Sequence, residues 1–434
     1  INWNYSLFYE VDAMKRICIK GGKKLYGEID VQGAKNSSLP ILSAALICES
    51  PCVIHNCPDI TDVNAAVKIL EYLGCGVKRE GNTLTVDPRG FKCREVPDAL
   101  MREMRSSIIF LGAVTAKCGC AFLSLPGGCE LGPRPIDIHL SSLRKMGLEI
   151  EESHGRLDCF CKDTLLGCEI DLPFPSVGAT ENIMLAAVRA RGNTVIRNAA
   201  REPEISDLAQ FLNSCGARVF GAGESTVEVE GVKSLSGCEH VVIPDRIAAA
   251  TYMSAVGACG GKIILNNIEP THLYSTFPFF EQAGGTIKIK DRSVECEFKN
   301  RPKALSTVRT GVYPGFPTDA QPTLMAMTVM GEGTTVFVEN IFENRFRQVD
   351  ELVRLGARIR VQGRVAVVDG VERLTGAAVE AADLRGGAAI AVAGLCADGE
   401  TSVGHVDYIN RGYENFVNNL SRLGADIKTV EGKK

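Results

Sequence analysis

Six stretches of this chain are small or apolar on every face, and each is followed by a segment with the ordinary two-sided helical pattern. The first three are N-S-S-L-P-I-L-S-A-A-L-I-C, R-S-S-I-I-F-L-G-A-V-T-A-K and A-T-E-N-I-M-L-A-A-V-R-A. The second half supplies D-R-I-A-A-A-T-Y-M-S-A-V-G-A, T-D-A-Q-P-T-L-M-A-M-T-V-M and D-L-R-G-G-A-A-I-A-V-A-G-L-C-A. A helix without a polar face is stable only where it is covered all round, so these six are expected in the interior. Alternating segments such as T-V-I-R-N and T-V-F-V-E-N read as short strands, and E-N-F-V-N-N-L-S-R-L as an amphipathic helix.

The period is fixed by a junction of form apolar-Gly-x-x-[Val/Ile]. It falls at Gly74, Gly147, Gly216, Gly284, Gly356 and Gly424, with spacings of 73, 69, 68, 72 and 68 residues. Glycine there fits a left-handed cap between a helix and an outgoing strand. Each unit then reads β–α–β–α–β–β. Six such units with apolar helices inside and strands outside predict an α/β protein of two inside-out barrel domains, three repeats in each. That inverts the usual barrel, whose core is the sheet, and closed globules suit fully buried helices better than an open solenoid does. The expected division is one domain over 35–243 and a second, discontinuous one over 14–34 plus 244–434. The first thirteen residues precede Met14, continue none of these patterns and are read as an extraneous extension.

Polar residues of the buried helices gather at their N-terminal ends: Lys35 and Asn36, Arg105, Thr180, Asp245 and Arg246, Asp319, Asp383 and Arg385. Asp and Thr there are ordinary caps. Lysine and arginine oppose the helix dipole, so Lys35 and Arg105 call for another reason. A cleft between the domains, faced by helix N-termini, would hold a phosphate or carboxylate.

Bulk properties narrow the classes. The formal net charge of −4 argues against a nucleic-acid partner, and the uncharged apolar run near Gly386 to Ala397 is too short to cross a bilayer. Seventeen cysteines in a chain of 434 residues, an odd count with no charged-then-apolar leader ahead of them, are read as reduced thiols in the cytoplasm. No Cys-x-x-Cys pair exists, the six histidines are scattered, and neither a metal nor a cofactor is expected. One cysteine differs from the rest. Cys129 lies in L-P-G-G-C-E-L-G-P-R-P-I-D-I-H, flanked by Gly127, Gly128 and Gly132, with Pro133 and Pro135 either side of Arg134. A thiol kept only for packing needs no such loop.

With G-A-K-N at 33–36, the Cys129 loop at 125–135 and S-V-G-A-T at 176–180, the chain resembles the UDP-N-acetylglucosamine 1-carboxyvinyltransferase family. R-E-P-E at 201–204, F-P-T-D at 316–319, F-E-N-R-F at 342–346 and N-R-G-Y-E at 410–414 extend the resemblance from about Met14 to the C-terminus. It implies the same two inside-out domains and transfer of the enolpyruvyl group of phosphoenolpyruvate to a sugar 3′-hydroxyl, with release of phosphate. The small-molecule partners are then phosphoenolpyruvate and UDP-N-acetylglucosamine. The resemblance assigns Cys129, Asp319 and Lys35 to catalysis, and Lys35, Asn36, Arg105, Arg134, Arg385 and Arg411 to phosphoenolpyruvate. It assigns Asn36, Arg105, Arg134, Pro135, Ile136, Asp137, Ile138, Ser176, Val177, Gly178, Asp319 and Ile341 to the nucleotide sugar. Cys129 would be the acid for C3 and the covalent partner of phosphoenolpyruvate, carried by a loop that closes as a lid. Asp319 would take the hydroxyl proton.

Glu202 and Asp245 match polar residues near the family's cleft, and His139 reads equally as a nucleotide ligand or a structural histidine. Phe174 departs from members with a lysine there, which removes one diphosphate contact. Two rivals stand beside this reading. The sister enzyme acting on shikimate 3-phosphate opens its first motif Ser-Lys-Ser, where this chain has Ala34, Lys35 and Asn36, and it lacks the loop cysteine. A catalytically silent sugar-nucleotide-binding paralogue is the other.

Overall fold

A computed structural model describes the protein over residues 15–104, 106–125 and 136–431. The six apolar stretches form helices at Lys35–Ala45, Phe110–Cys118, Val177–Ala187, Arg246–Cys259, Gln321–Val329 and Leu384–Leu395, almost wholly buried. The first three pack together in one domain and the last three in the other. Around each trio stand three sheets of three or four strands, turned to solvent on their outer face; the second domain adds a two-stranded pair, Leu374–Thr375 with Ala397–Asp398. The junction glycines Gly74, Gly147, Gly216, Gly284, Gly356 and Gly424 all adopt φ between 92° and 100°. A Cβ is strained there, which explains why one residue type recurs at this place in every unit.

Buried apolar residues form two clusters. One is drawn from Ala34 to Val242, the other from Ile17 to Val31 together with Ile247 to Ile427. The chain therefore passes between domains twice, and at each passage a strand sits in the sheet of the domain being left. Leu25–Asp30 precedes the helix Lys35–Ala45 but pairs in parallel with Gly261–Asn266. Glu239–Val241 precedes the helix Arg246–Cys259 but pairs in parallel with Cys52–His55. Each completes a four-stranded sheet whose other strands lie more than 150 residues away. Lys15–Lys20 likewise closes the last sheet, between Glu400–Gly404 and Asp426–Glu431.

The two passages touch. Gly33 and Pro244 form an antiparallel bridge, with Ala34 N–H donating to the Ile243 carbonyl at 2.7 Å and Asp245 N–H to Gln32 at 2.9 Å. Gly33 has no substitute here, because a Cβ would collide with the Asn56 carbonyl. The junction between domains is thus two crossing strands tied back to back, directly beneath the N-termini of two central helices.

Candidate active site

The helix Lys35–Ala45 begins without a side-chain cap and without an acid in its first turn. Its first N–H is taken from outside: Asp245 Oδ2 accepts from Lys35 N at 3.2 Å. Asp245 Oδ1 meanwhile accepts from Ile247 and Ala248, at 2.9 Å each, and so caps its own helix. One carboxylate therefore fixes two helix starts from opposite domains, which holds Lys35 at the seam.

The Lys35 side chain points to Asp62. Nζ lies 2.8 Å from Asp62 Oδ2, while Arg411, from the other domain, reaches Oδ1 with Nε at 2.8 Å and Oδ2 with Nη2 at 3.3 Å. Asp62 is 1% exposed, so this interdomain triad is shielded from water. Burial pushes the Lys35 ammonium below its usual proton affinity; Asp62 opposes this, and the nearby Arg385 and Arg411 add to it. Burial also disfavours ionised Asp62, but Lys35 and Arg411 outweigh it and hold the carboxyl below its ordinary range.

A second constellation centres on Asp319. Arg345 Nη2 reaches Oδ1 at 2.9 Å, and Arg385 approaches Oδ2 with Nη2 at 3.3 Å and Nε at 3.4 Å. The helix that follows has Ala320 as its N-cap and no side-chain cap bond, so the carboxylate of Asp319 is directed at arginines rather than at backbone. Arg345 also grips the Thr318 carbonyl through Nε and Nη2, at 3.1 and 3.0 Å. Buried Glu339 accepts from Thr318 Oγ1 at 3.1 Å and from the backbone N–H groups of Ile341 and Phe342 at 2.8 and 3.0 Å. Arg345 and Glu339 thus set the Asp319 segment and the Ile341 turn against each other. Arg385 lies over the Tyr413 ring at 5.1 Å, and its Nη1 is buried with no hydrogen-bond partner. Asp383 Oδ1 caps its helix through the N–H groups of Arg385 and Gly386, at 3.0 Å each.

The remaining candidates are spread along the first domain. Ser176 caps the helix Val177–Ala187 by accepting from Ala179 N–H at 3.3 Å, and Val177 and Gly178 form its first turn. Ile136, Asp137 and Ile138 open the helix Asp137–Lys145. Asn36 follows Lys35 in the first turn of its helix. Buried His139 accepts at Nδ1 from the Asn182 amide, 3.0 Å away, and that amide also holds Gly112 N–H at 2.6 Å and the Ile108 carbonyl at 3.0 Å. His139 is therefore part of the packing between two central helices. Glu202 is the N-cap residue of the helix Pro203–Ser214, and burial raises its proton affinity. Phe174 is exposed. Arg105, Cys129, Arg134 and Pro135 lie outside the described residues.

Asp62, Arg345 and Glu339 were not singled out by sequence reasoning. Asp62 reads as an ordinary first-turn acid in T-D-V-N. Arg345 did carry a signal, since it sits inside F-E-N-R-F, but nothing in the motif says which of its residues faces the site.

A family signature described as EPSP synthase (3-phosphoshikimate 1-carboxyvinyltransferase) matches residues 19–420. A protein from Caldanaerobacter subterraneus subsp. tengcongensis, UDP-N-acetylglucosamine 1-carboxyvinyltransferase 2, is 50% identical over 418 residues, which is 96% of this chain and 100% of that one. The chain belongs to the UDP-N-acetylglucosamine 1-carboxyvinyltransferase family. A further carboxyvinyltransferase of that name, from Thermotoga maritima, is 44% identical over 96% of this chain and 99% of its own length. Among solved structures, the enolpyruvyl transferase NikO from Streptomyces tendae superposes with a TM-score of 0.88 at 25% identity, covering 97% of this chain and 100% of that one. EPSP synthase from Acinetobacter baumannii superposes at 0.75 with 18% identity over 96% and 100%, which speaks to the fold alone. Against the sister enzyme, then, the UDP-N-acetylglucosamine 1-carboxyvinyltransferase family is favoured by sequence.

Proposed function

We infer that this chain transfers the enolpyruvyl group of phosphoenolpyruvate to the 3′-hydroxyl of UDP-N-acetylglucosamine, releasing phosphate, as the first committed step of peptidoglycan synthesis in the cytoplasm. Family membership at 50% identity over nearly the whole chain carries this reading. The site supports it, because Lys35 from the first domain and Arg385 and Arg411 from the second converge at the seam between domains. A substrate bearing both a phosphate and a carboxylate needs such a set of cations.

In the proposed route the sugar oxygen attacks C2 of phosphoenolpyruvate while C3 gains a proton, giving a tetrahedral ketal. Loss of a proton from C3 and departure of phosphate then leave the enol ether. Asp319 accepts the hydroxyl proton. Two arginines beside it, Arg345 and Arg385, fix the direction of its carboxylate. Cys129 delivers the proton to C3. Lys35 and Arg411 take the phosphate, exchanging part of their pairing with Asp62 for the ligand. Arg385 offers its unpaired Nη1 to the carboxylate. The uridine side is held by the segment Arg134–Ile138 and the Ser176–Gly178 helix start, and Arg105 adds a further cation.

The test is phosphate release from phosphoenolpyruvate with either UDP-N-acetylglucosamine or shikimate 3-phosphate. Release with the first acceptor only is expected. Release with shikimate 3-phosphate instead would move the chain to the sister activity, and silence with both would make it a binding paralogue.

A further inference from the structure

Four thiols meet at the pole of the first domain, away from the cleft. Cys48 follows the C-terminal end of the helix Lys35–Ala45, Cys52 opens the strand Cys52–His55, Cys215 ends the helix Pro203–Ser214, and Cys238 directly precedes the strand Glu239–Val241. The Sγ atoms of Cys48, Cys52 and Cys215 all lie within 4.8 Å of one another, and Cys238 Sγ is 3.3 Å from that of Cys215. Four sulfurs around a tetrahedral zinc at about 2.3 Å would be separated by about 3.8 Å. Three of the sulfurs already lie within reach of one ion; Cys238 stands outside that trio but beside Cys215, and a rotation of its side chain would bring in the fourth.

The backbone around the thiols ties the segments that carry them to one another. Ser236 N–H donates to the Cys215 carbonyl at 2.9 Å, Gly237 N–H to Ser50 Oγ at 2.8 Å, and Val53 N–H to the Cys238 carbonyl at 2.9 Å. Gly237 packs so tightly on Pro51 that a Cβ would clash with its carbonyl. Lys117 adds a charge, with Nζ 2.5 Å from the Cys48 carbonyl and 3.3 Å from that of Ile47. An ammonium there offsets part of the net negative charge of a tetrathiolate–zinc unit. Cys75, Cys159 and Cys296, by contrast, are buried outside any such group of thiols among the described residues.

We propose that Cys48, Cys52, Cys215 and Cys238 bind a thiophilic divalent ion, zinc, in a structural tetrathiolate site. On binding, each thiol gives up its proton and the four sulfurs fill the coordination sphere, so the ion has no open position for catalysis. Its place is the seam where the third unit of the domain meets the first. There the strand Glu239–Val241 returns to close the ring, and the ion staples that closure. Sequence spacing missed it because the second pair of ligands lies far along the chain from Cys48 and Cys52.

The full chain, reduced and stripped with a chelator under anaerobic conditions, is titrated with zinc sulfate alone and separately with cobalt(II). A single tight zinc equivalent, thiolate-to-cobalt charge-transfer bands, and an X-ray absorption shell of four sulfurs at about 2.3 Å are expected. The double variant Cys48→Ser/Cys215→Ser should lose the zinc equivalent, while Cys93→Ser/Cys118→Ser/Cys120→Ser, at the other thiol group among the described residues, should keep it. If the double variant does not fold, the wild-type sulfur shell decides the matter. A shell with fewer than four sulfurs, no retained zinc, zinc lost from the control variant instead, or disulfides in place of free thiols would overturn the proposal.

Discussion

Lys35 shows how one neighbour sets the working range of a buried cation. Its ammonium is weakened by burial and by two arginines and is supported by Asp62 alone among the groups acting on it. Phosphate binding in the proposed role needs the charged form, so the KM for phosphoenolpyruvate should rise as pH rises through the lowered pKa. In Asp62→Asn the support is gone, the pKa falls further, and that rise should begin at lower pH; KM against pH for both proteins measures it. Asp319→Asn keeps the shape but cannot accept a proton, and kcat should drop by about 10²- to 10⁴-fold with the fold intact by circular dichroism. Alkylation of Cys129 by an epoxide such as fosfomycin should abolish phosphate release in step with the label. Glu181 makes the opposite kind of case. Burial, then Glu204 and Glu202, raise its pKa well above 4.5. The folded state therefore keeps a proton that the unfolded state loses, so stability is forfeited as pH climbs above the unfolded value. Glu181→Gln should unfold later than wild type, by a margin that widens from acid to neutral pH in thermal melts.

At the scale of elements, the helix Pro203–Ser214 meets the start of Arg246–Cys259 across the domain boundary. Glu204 and Arg246 pair there at 3.0 and 3.2 Å with side chains 4% and 9% exposed, and Arg246 also covers the Tyr313 ring at 5.6 Å. Glu204→Gln leaves a guanidinium buried without its charge partner, which should cost about 3–5 kcal/mol in urea unfolding. Elements are also where the sequence was most readable. Helices apolar on every face can lie only inside, and a glycine repeated before each outgoing strand can serve only a left-handed cap. The exchange of strands at the two passages was not readable. The division at 14–34 gave Leu25–Asp30 to the second domain, but its alternation is the same beside any partner, so pattern alone could not name Gly261–Asn266 as the strand it joins. The same holds for Asp62, whose place in a first turn hides a partnership with Lys35 and Arg411 that depends on tertiary contacts.

For the whole molecule, the tied crossing at Gly33 and Pro244 is the place where the two domains share backbone. Gly33→Ala forces the Asn56 carbonyl aside and with it the Asp245 contact that seats Lys35. The variant should lose both thermal stability and turnover, whereas Gly22→Ala, where an added methyl meets nothing but must adopt a positive φ, should cost only about 1 kcal/mol of strain. The same topology sets an order of events during synthesis. The first domain needs nothing beyond Val242 and can fold while the rest is still being translated. Lys15–Lys20 and Leu25–Asp30 are made earliest yet must wait, the one for Glu400–Gly404 and Asp426–Glu431, the other for Gly261–Asn266. For most of translation these two strands trail from the ribosome with their edges unpaired, the kind of surface that chaperones hold and that aggregation recruits.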